Sequence, residues 1–440
     1  MPNAPGIPLA LHPSAESIRL GPADVILKKS LAEKAFVVCV LVLSTTAFIN
    51  LLPGESGVEY EEQGKFYAQI LWLFLYVVML VFARKRVLEL LRLLWQNKPL
   101  VALLAWACVS VAWSVDRPVT VRHFGALLLS CIFGVFLAFR FSLREQLRLV
   151  SVALWIIIIA STAACLFFPS YGIRTEESTT GPAWQGVLTD KNALARLAVL
   201  AALILALYFA KRVRRVAALI GIGLLFFLVI LTQAKTALVY FILAMLAFPF
   251  VRAVQNNPAN RRKIIAFALL IFGGLTTWTY YNWENLTYSL GKDPLLTGRV
   301  ALWGLSMTWI ADKPFLGYGF EGFWSNYYGP AADLRIAAGW LEAPHAHNGF
   351  INLWLDLGLI GVLLFVLGFI ITYREAITLT TTTKSVEGIW PVTFLVFYMV
   401  YSFTETNFLS RNDLLWILYV AMMFSVRTDK PPAVGLGEVA

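Results

Sequence analysis

The sequence predicts an all-α, polytopic membrane protein with about 12 transmembrane helices, and three observations carry that prediction. Apolar residues fill 59% of the 440 positions and charged residues 14%, with a mean hydropathy of +0.71, whereas a soluble domain carries about 25% charge. Apolar runs of roughly 17–22 residues recur along the chain, each long enough to cross an approximately 30 Å hydrocarbon layer as a helix. The runs are continuous, without the alternation of a membrane β-barrel. Soluble, barrel, collagen-like, disordered and disulfide-scaffold architectures are excluded together.

The elements follow in order. Residues 1–34 are mixed and Pro-rich and lack the charged start, short apolar stretch and small-residue cleavage site of a secretory signal. They are expected to form a cytoplasmic tail. A single transmembrane domain is expected over 35–426, with spans at about 35–52, 66–83, 99–114, 123–139, 149–168, 192–210, 216–232, 237–251, 264–281, 349–372, 390–404 and 413–426. Residues 427–440 make a second short tail, and no soluble domain is appended. With both termini on one side, 24 of the 36 Lys and Arg residues fall in the loops of that side, Arg84-Lys85-Arg86 and Arg261-Arg262-Lys263 among them. The positive-inside rule makes that side cytoplasmic. The formal charge of +10 is therefore a topogenic feature of one leaflet and no sign of nucleic-acid binding. Cys39, Cys108, Cys131 and Cys165 all sit in apolar runs without metal-ligand or redox spacing. No repeat of 20–50 residues is visible.

Two outward connections are long, about 169–191 and about 282–348. Long loops in compact folds are usually functional or disordered, and the second holds twelve aromatic residues between Trp283 and Trp340, too many for disorder. It is expected to be ordered on the outer membrane surface. Within it, Gly298 to Ala311 reads as a short interfacial helix with Val300, Trp303, Met307 and Ile310 on one face. Asp312-Lys313-Pro314 ends it, and Gly317-Tyr318-Gly319 makes the next turn.

The residues able to carry chemistry concentrate at the outer ends of the spans. Pro344-His345-Ala346-His347-Asn348-Gly349 opens the tenth span, and Asn348 is placed to cap the helix. His347 then stands just outside a helix N-terminus, a place for a neutral ring that accepts a proton. Metal binding by the two histidines is weaker as a reading, because residues two apart do not align on a helix and no further His or Cys completes a site. Arg299 follows Thr297-Gly298, so its guanidinium and the free N–H groups of the helix start can hold one anion together. Lys191, Asn192 and Arg196 sit at the outer end of the sixth span, and Lys235 lies in the tight turn between spans seven and eight. Singly, each cation reads more readily as an interface anchor; converging from separate elements, the four would make a diphosphate site. Asp356, about two turns into the tenth span, reads best as the partner of a Lys or Arg on a neighbouring helix.

These motifs resemble the O-antigen ligase superfamily, which includes lipopolysaccharide O-antigen ligases, Wzy-type polymerases and ExoQ-like exopolysaccharide polymerases. The resemblance runs from about 185 to 365 through Thr189-Asp190-Lys191-Asn192, Gln233-Ala234-Lys235-Thr236-Ala237, Thr297-Gly298-Arg299 with Leu302-Trp303, Pro314 to Phe320, and His345 to Gly349 followed by Gly358 and Gly361. The Thr-Tyr pair that can close the ligase signature is absent after Gly358. Lys235-Thr236 and the Trp-rich stretch after Gly298 look most like the ExoQ branch. The resemblance implies a polymerase of the cell inner membrane, with O-antigen ligase as the alternative. The donor would be a glycan on undecaprenyl diphosphate and the acceptor a glycolipid hydroxyl on the periplasmic face, with inversion and without metal or other cofactor. It implies catalytic roles for His347 and Arg299 and substrate binding by Lys191, Asn192, Arg196, Lys235, His345 and Asn348. Membrane lipids, a flippase and chain-length regulators would be its partners. From another class, an exporter of the major facilitator type shares twelve spans with both termini inside, but lacks here the Gly and Asp-Arg pattern between spans two and three.

Overall fold

A computed structural model describes residues 30–48, 58–175, 181–209, 215–282, 298–325, 329–340, 343–383 and 387–428, with single positions 285 and 385. They are almost wholly helical. In chain order the helices are α1 (Leu31–Leu43), α2 (Val58–Ala83), α3 (Val87–Gln96), α4 (Lys98–Val109), α5 (Arg117–Arg140), α6 (Leu143–Phe167), the four-residue α7 (Pro169–Gly172), α8 (Lys191–Phe209), α9 (Arg215–Leu231), α10 (Lys235–Asn256), α11 (Arg261–Tyr281), α12 (Arg299–Asp312), α13 (Pro330–Ala337), α14 (Gly349–Thr382), α15 (Trp390–Ser402) and α16 (Leu414–Thr428). Among the described residues the one ladder pairs Ile173–Arg174 with Ala183–Trp184 antiparallel.

Each expected span overlaps a helix, but 44–48 of the first are turns, and 49–52 and residue 210 lie outside the described residues. Against the expected count of about 12, five helices among the described residues are long and apolar enough to cross a membrane unaided, or six if α2 and α3, bent by 103° at Arg84–Arg86, count as one. Others are short: α1 and α15 have 13 residues each, about 20 Å at 1.5 Å per residue, against an approximately 30 Å hydrocarbon layer.

Local chemistry sets the helix starts. Asp116 accepts from Val119 N–H, Asp190 from Asn192 and Ala193 N–H, Asn348 from Phe350 and Ile351 N–H, and Asp413 from Leu415 and Trp416 N–H. Each side-chain oxygen satisfies donors that the first helical turn leaves free. Two helices are buried on all sides, as an all-round apolar sequence demands: α16, with Leu414 to Phe424 each at most 2% exposed, and α8, enclosed from Ala193 to Leu207. The first packs among α5, α14 and α15, the second among α6, α9 and α10. Outer helices show apolar stripes to the surroundings, among them Leu73, Phe74 and Val77 on α2 and Leu224 and Phe227 on α9, the surface expected against lipid.

The long aromatic loop is ordered where it is described. As expected, α12 starts after Gly298, which has φ +86°, and stops at Asp312. Of the face expected to lie in the interface, Val300 and Met307 are exposed, while Ile310 turns inward with Leu302 and Ser306 against α14. The following turn docks into a break in α14. At Gly358 (φ +67°) the helix opens; Leu355 and Asp356 carbonyls accept from Tyr318 and Gly319 N–H at 2.7 and 2.9 Å, and Leu359 N–H donates to Pro314 O at 2.8 Å. Pairing the freed groups in this way lets a helix break inside an apolar bundle. A side chain at Gly358 would collide with the Phe315 carbonyl.

Candidate functional site

The site gathers at one end of the bundle, where α8, α10, α12 and α14 all begin, around the link 403–413 between α15 and α16. That link touches each of them. The Arg299 guanidinium, on the first residue of α12, donates to Thr404 O at 2.8 Å and to Glu405 Oε1 at 3.1 Å. His347 Nδ1 lies 3.2 Å from Glu405 Oε2. Arg196 of α8 donates to Asn407 Oδ1 at 2.9 Å and lies 3.4 Å from Asp413. Tyr240 of α10 shares a hydrogen bond with Thr404. Four elements distant in sequence therefore meet on an eleven-residue link.

His347 is the centre of this arrangement. Asn348 caps α14 as expected, and His347, just before the cap, takes φ +48°, a conformation that few side chains adopt without support. The support is visible: its N–H donates to His345 Nδ1 at 3.1 Å, and its ring stacks on Trp340 at 4.9 Å with planes 9° apart. Trp303 Nε1 donates to Ala346 O at 2.8 Å, tying α12 to the same turn. Glu405 Oε1 accepts from Arg299, and Oε2 faces His347 Nδ1 at 3.2 Å, closer than the Arg299 guanidinium at 3.5 Å, so the carboxylate favours the tautomer with its proton on Nδ1. In that tautomer Nε2 keeps its lone pair, buried and without a hydrogen-bond partner among the described residues. Burial alone would raise the Glu405 carboxyl, but the His347 hydrogen bond and the Arg299 charge outweigh it and hold it down to about 2. Glu405 is thus a carboxylate that orients an imidazole, as the third member of a catalytic triad does.

The other expected residues divide. Arg299 and Arg196 join His347, but as partners of Glu405 and Asp413, where free anion clamps were expected. Lys191 and Asn192 open α8 one turn before Arg196, and Lys235 opens α10 ahead of Tyr240, so all three stand at helix starts of the same end. Asn348 spends its side-chain oxygen on the cap. His345 spends Nδ1 on the His347 turn, and burial, with His347 beside it, pushes its ring down to about 3, so it is neutral. Asp356 corrects the expected ion pair: it is buried, accepts from Asn352 Nδ2 at 3.0 Å and has no cation partner among the described residues.

Glu405 was not read as a functional residue from sequence. Its signal is faint, a knot of polar residues from Thr404 to Asp413 between two apolar spans. It also joins the histidine pair, for which no further His or Cys was expected: one ligand atom each from His345, His347 and the carboxylate of Glu405 lie within 4.8 Å of one another, close enough to hold an ion. Arg299 occupies the same carboxylate and competes with any cation there.

Residues 220–366 match the model of a family described as O-antigen ligase. About one third of the chain is thus similar to this family. Lys235, Arg299, His345, His347 and Asn348 lie inside the matched segment, while Lys191, Asn192, Arg196 and Glu405 lie outside it. The chain is 26% identical over 269 residues to the exopolysaccharide production protein ExoQ of Rhizobium meliloti, covering 59% of this chain and 60% of that protein. It is 28% identical over 149 residues to a Rickettsia conorii protein with the provisional name polysaccharide ligase, covering 32% of this chain and 34% of the relative. The matches thus span less than two thirds of either relative. The resemblance read from the motifs, to the O-antigen ligase superfamily and its ExoQ-like members, is borne out.

Proposed function

We propose that the protein is a surface-polysaccharide polymerase of the bacterial inner membrane, transferring a glycan from undecaprenyl diphosphate to a hydroxyl of a second lipid-linked glycan. The observation that carries this reading is the Arg299–Glu405–His347 array, in which Arg299 and His347 fall in the segment that matches the O-antigen ligase family, with His347 Nε2 unpartnered among the described residues. Nε2 takes the proton of the acceptor hydroxyl as its oxygen attacks the anomeric carbon. The bond from that carbon to the diphosphate oxygen breaks, its electron pair leaves with the diphosphate, and attack from the opposite face inverts the centre. Glu405 stabilises the imidazolium that forms. Arg299 and Arg196, already balanced by carboxylates, supply hydrogen bonds more than net charge. Lys191, Lys235 and the converging helix starts offset the charge developing on the leaving group. The protein's own groups supply the general base and the anion contacts, so the reaction as drawn needs no metal.

Around this reading we place twelve spans, both termini in the cytoplasm and the His347 end in the periplasm, in keeping with the cation asymmetry. The ligase names of the family and of the Rickettsia relative favour a second reading, an O-antigen ligase, whose acceptor would be lipid A core. A deletion strain separates the readings by what accumulates. Single lipid-linked repeat units support the polymerase, long chains on the lipid carrier the ligase, and glycan trapped in the cytoplasm an exporter.

A further inference from the structure

We propose that α3 lies flat in the membrane interface at the end of the bundle opposite His347 and binds the headgroups of anionic phospholipids. The inference is independent of the reaction above. The place follows from packing: α3 rests on α5, with the Arg86 guanidinium 5.8 Å from the ring centre of Phe139 in the last turn of that helix. The first turns of α5 hold His123, which meets Glu321 and, through it, Arg411 of the site's link. The 24 residues of α5 separate the two ends by about 36 Å. The orientation follows from the 103° bend, since a helix at right angles to a membrane-crossing α2 runs along the surface.

The surface of α3 divides into three stripes at helical spacing. Leu90, Leu94 and Val87 turn toward the bundle; Leu88, Leu91 and Trp95 form a stripe exposed at 71%, 45% and 65%; Glu89, Arg92 and Gln96 form an exposed polar stripe beside it. The middle stripe is apolar yet exposed among the described residues, and its polar neighbour is what an in-plane helix turns to water. Trp95 sits at its end with Lys98 Nζ 4.7 Å from the ring centre, the pairing of ring and cation that suits a headgroup layer. Residues 84–98 carry Arg84, Lys85, Arg86, Arg92 and Lys98 against the single carboxylate of Glu89. Charge complementarity therefore selects an anionic bilayer surface over a zwitterionic one.

The test uses the full chain with its four cysteines replaced, nitroxide-labelled singly at Leu88, Leu91, Arg92 or Gln96, in nanodiscs of phosphatidylcholine and phosphatidylglycerol. Labels at Leu88 and Leu91 should be relaxed by oxygen and shielded from a water-soluble nickel chelate, with the reverse at Arg92 and Gln96. Equal water exposure of both stripes, or protection of Leu88 and Leu91 from both reagents by a protein partner or a second copy, would overturn the placement. For the headgroups, Arg84→Gln, Lys85→Gln and Arg92→Gln should each weaken the preference for spin-labelled phosphatidylglycerol over phosphatidylcholine roughly fivefold. These three side chains are exposed, so the fold should tolerate their loss, and an unchanged preference in all three would overturn the binding claim.

Discussion

Glu405 links His347 and Arg299, the proposed base and the proposed anion contact, and its position beside them does not follow from local sequence. His347 and Arg299 were legible because a histidine before a capping Asn and an arginine after Gly298 are local patterns. The carboxylate that joins them comes from about 58 and 106 residues away along the chain, and only tertiary packing brings it there. Glu405→Gln should lower transfer by about 100-fold or more with membrane protein level unchanged, because the amide no longer enforces the tautomer or stabilises the imidazolium. The measurement is turnover at equal expression, and wild-type turnover would reduce Glu405 to a structural contact. The same turn should make the fold acid-sensitive. His345 stays neutral until about 3 when folded but takes a proton near 6.5 when unfolded, so the unfolded chain binds more protons between those values and stability falls as pH drops through them. Glu405, held at about 2, contributes stability above about 4.3 that is lost as pH falls from there toward 2. Thermal midpoints in detergent should therefore decline from pH 6.5 downward, and His345→Gln should flatten the profile between pH 6.5 and 4.5. An equally steep profile in that variant would contradict the buried neutral ring.

Among elements, α14 shows most clearly what a sequence reveals and what it hides. Its start was legible from Asn348, and so were the stop of α12 at Asp312 and the turn at Gly317-Tyr318-Gly319, because caps and glycines act locally. The break at Gly358 was hidden, since it exists only because the turn after α12 arrives to pair the freed backbone. Asp356 was misread for a related reason: its partner Asn352 is one turn away on its own helix, and no cation was needed. Ile310 of α12 leaves the interfacial face read for it and packs in the protein, because membrane and protein are equally apolar neighbours and periodicity does not say which lies on which side. Gly358→Ala should destabilise the protein by roughly 3 kcal/mol or more, combining a left-handed backbone with a collision against the Phe315 carbonyl. Loss of monodisperse protein in detergent would agree with this, whereas an unchanged thermal midpoint would mean that the break relaxes without cost.

At the scale of the whole molecule, one end of the bundle is a ring of helix starts capped by Asp116, Asp190, Asn348 and Asp413, and its centre is the polar link 403–413. The two fully buried helices, α8 and α16, are joined at that end by Arg196 and Asp413, so the site is anchored in the core and does not hang from the loop. This explains why the all-helical architecture was legible from hydropathy while the site was only half legible: spans are written in composition, and convergence is written in packing. The central claim, that a His347 base oriented by Glu405 performs glycosyl transfer from a lipid diphosphate, is tested most directly with purified protein and a synthetic undecaprenyl-diphosphate glycan in the presence of EDTA. Wild-type protein should form the glycosidic bond with chelator present, and His347→Ala should be inactive while remaining folded, with His345→Ala affected less. Full activity in His347→Ala would contradict the base, and activity lost to EDTA and restored by a divalent cation would replace the proposed mechanism with a metal held by His345, His347 and Glu405.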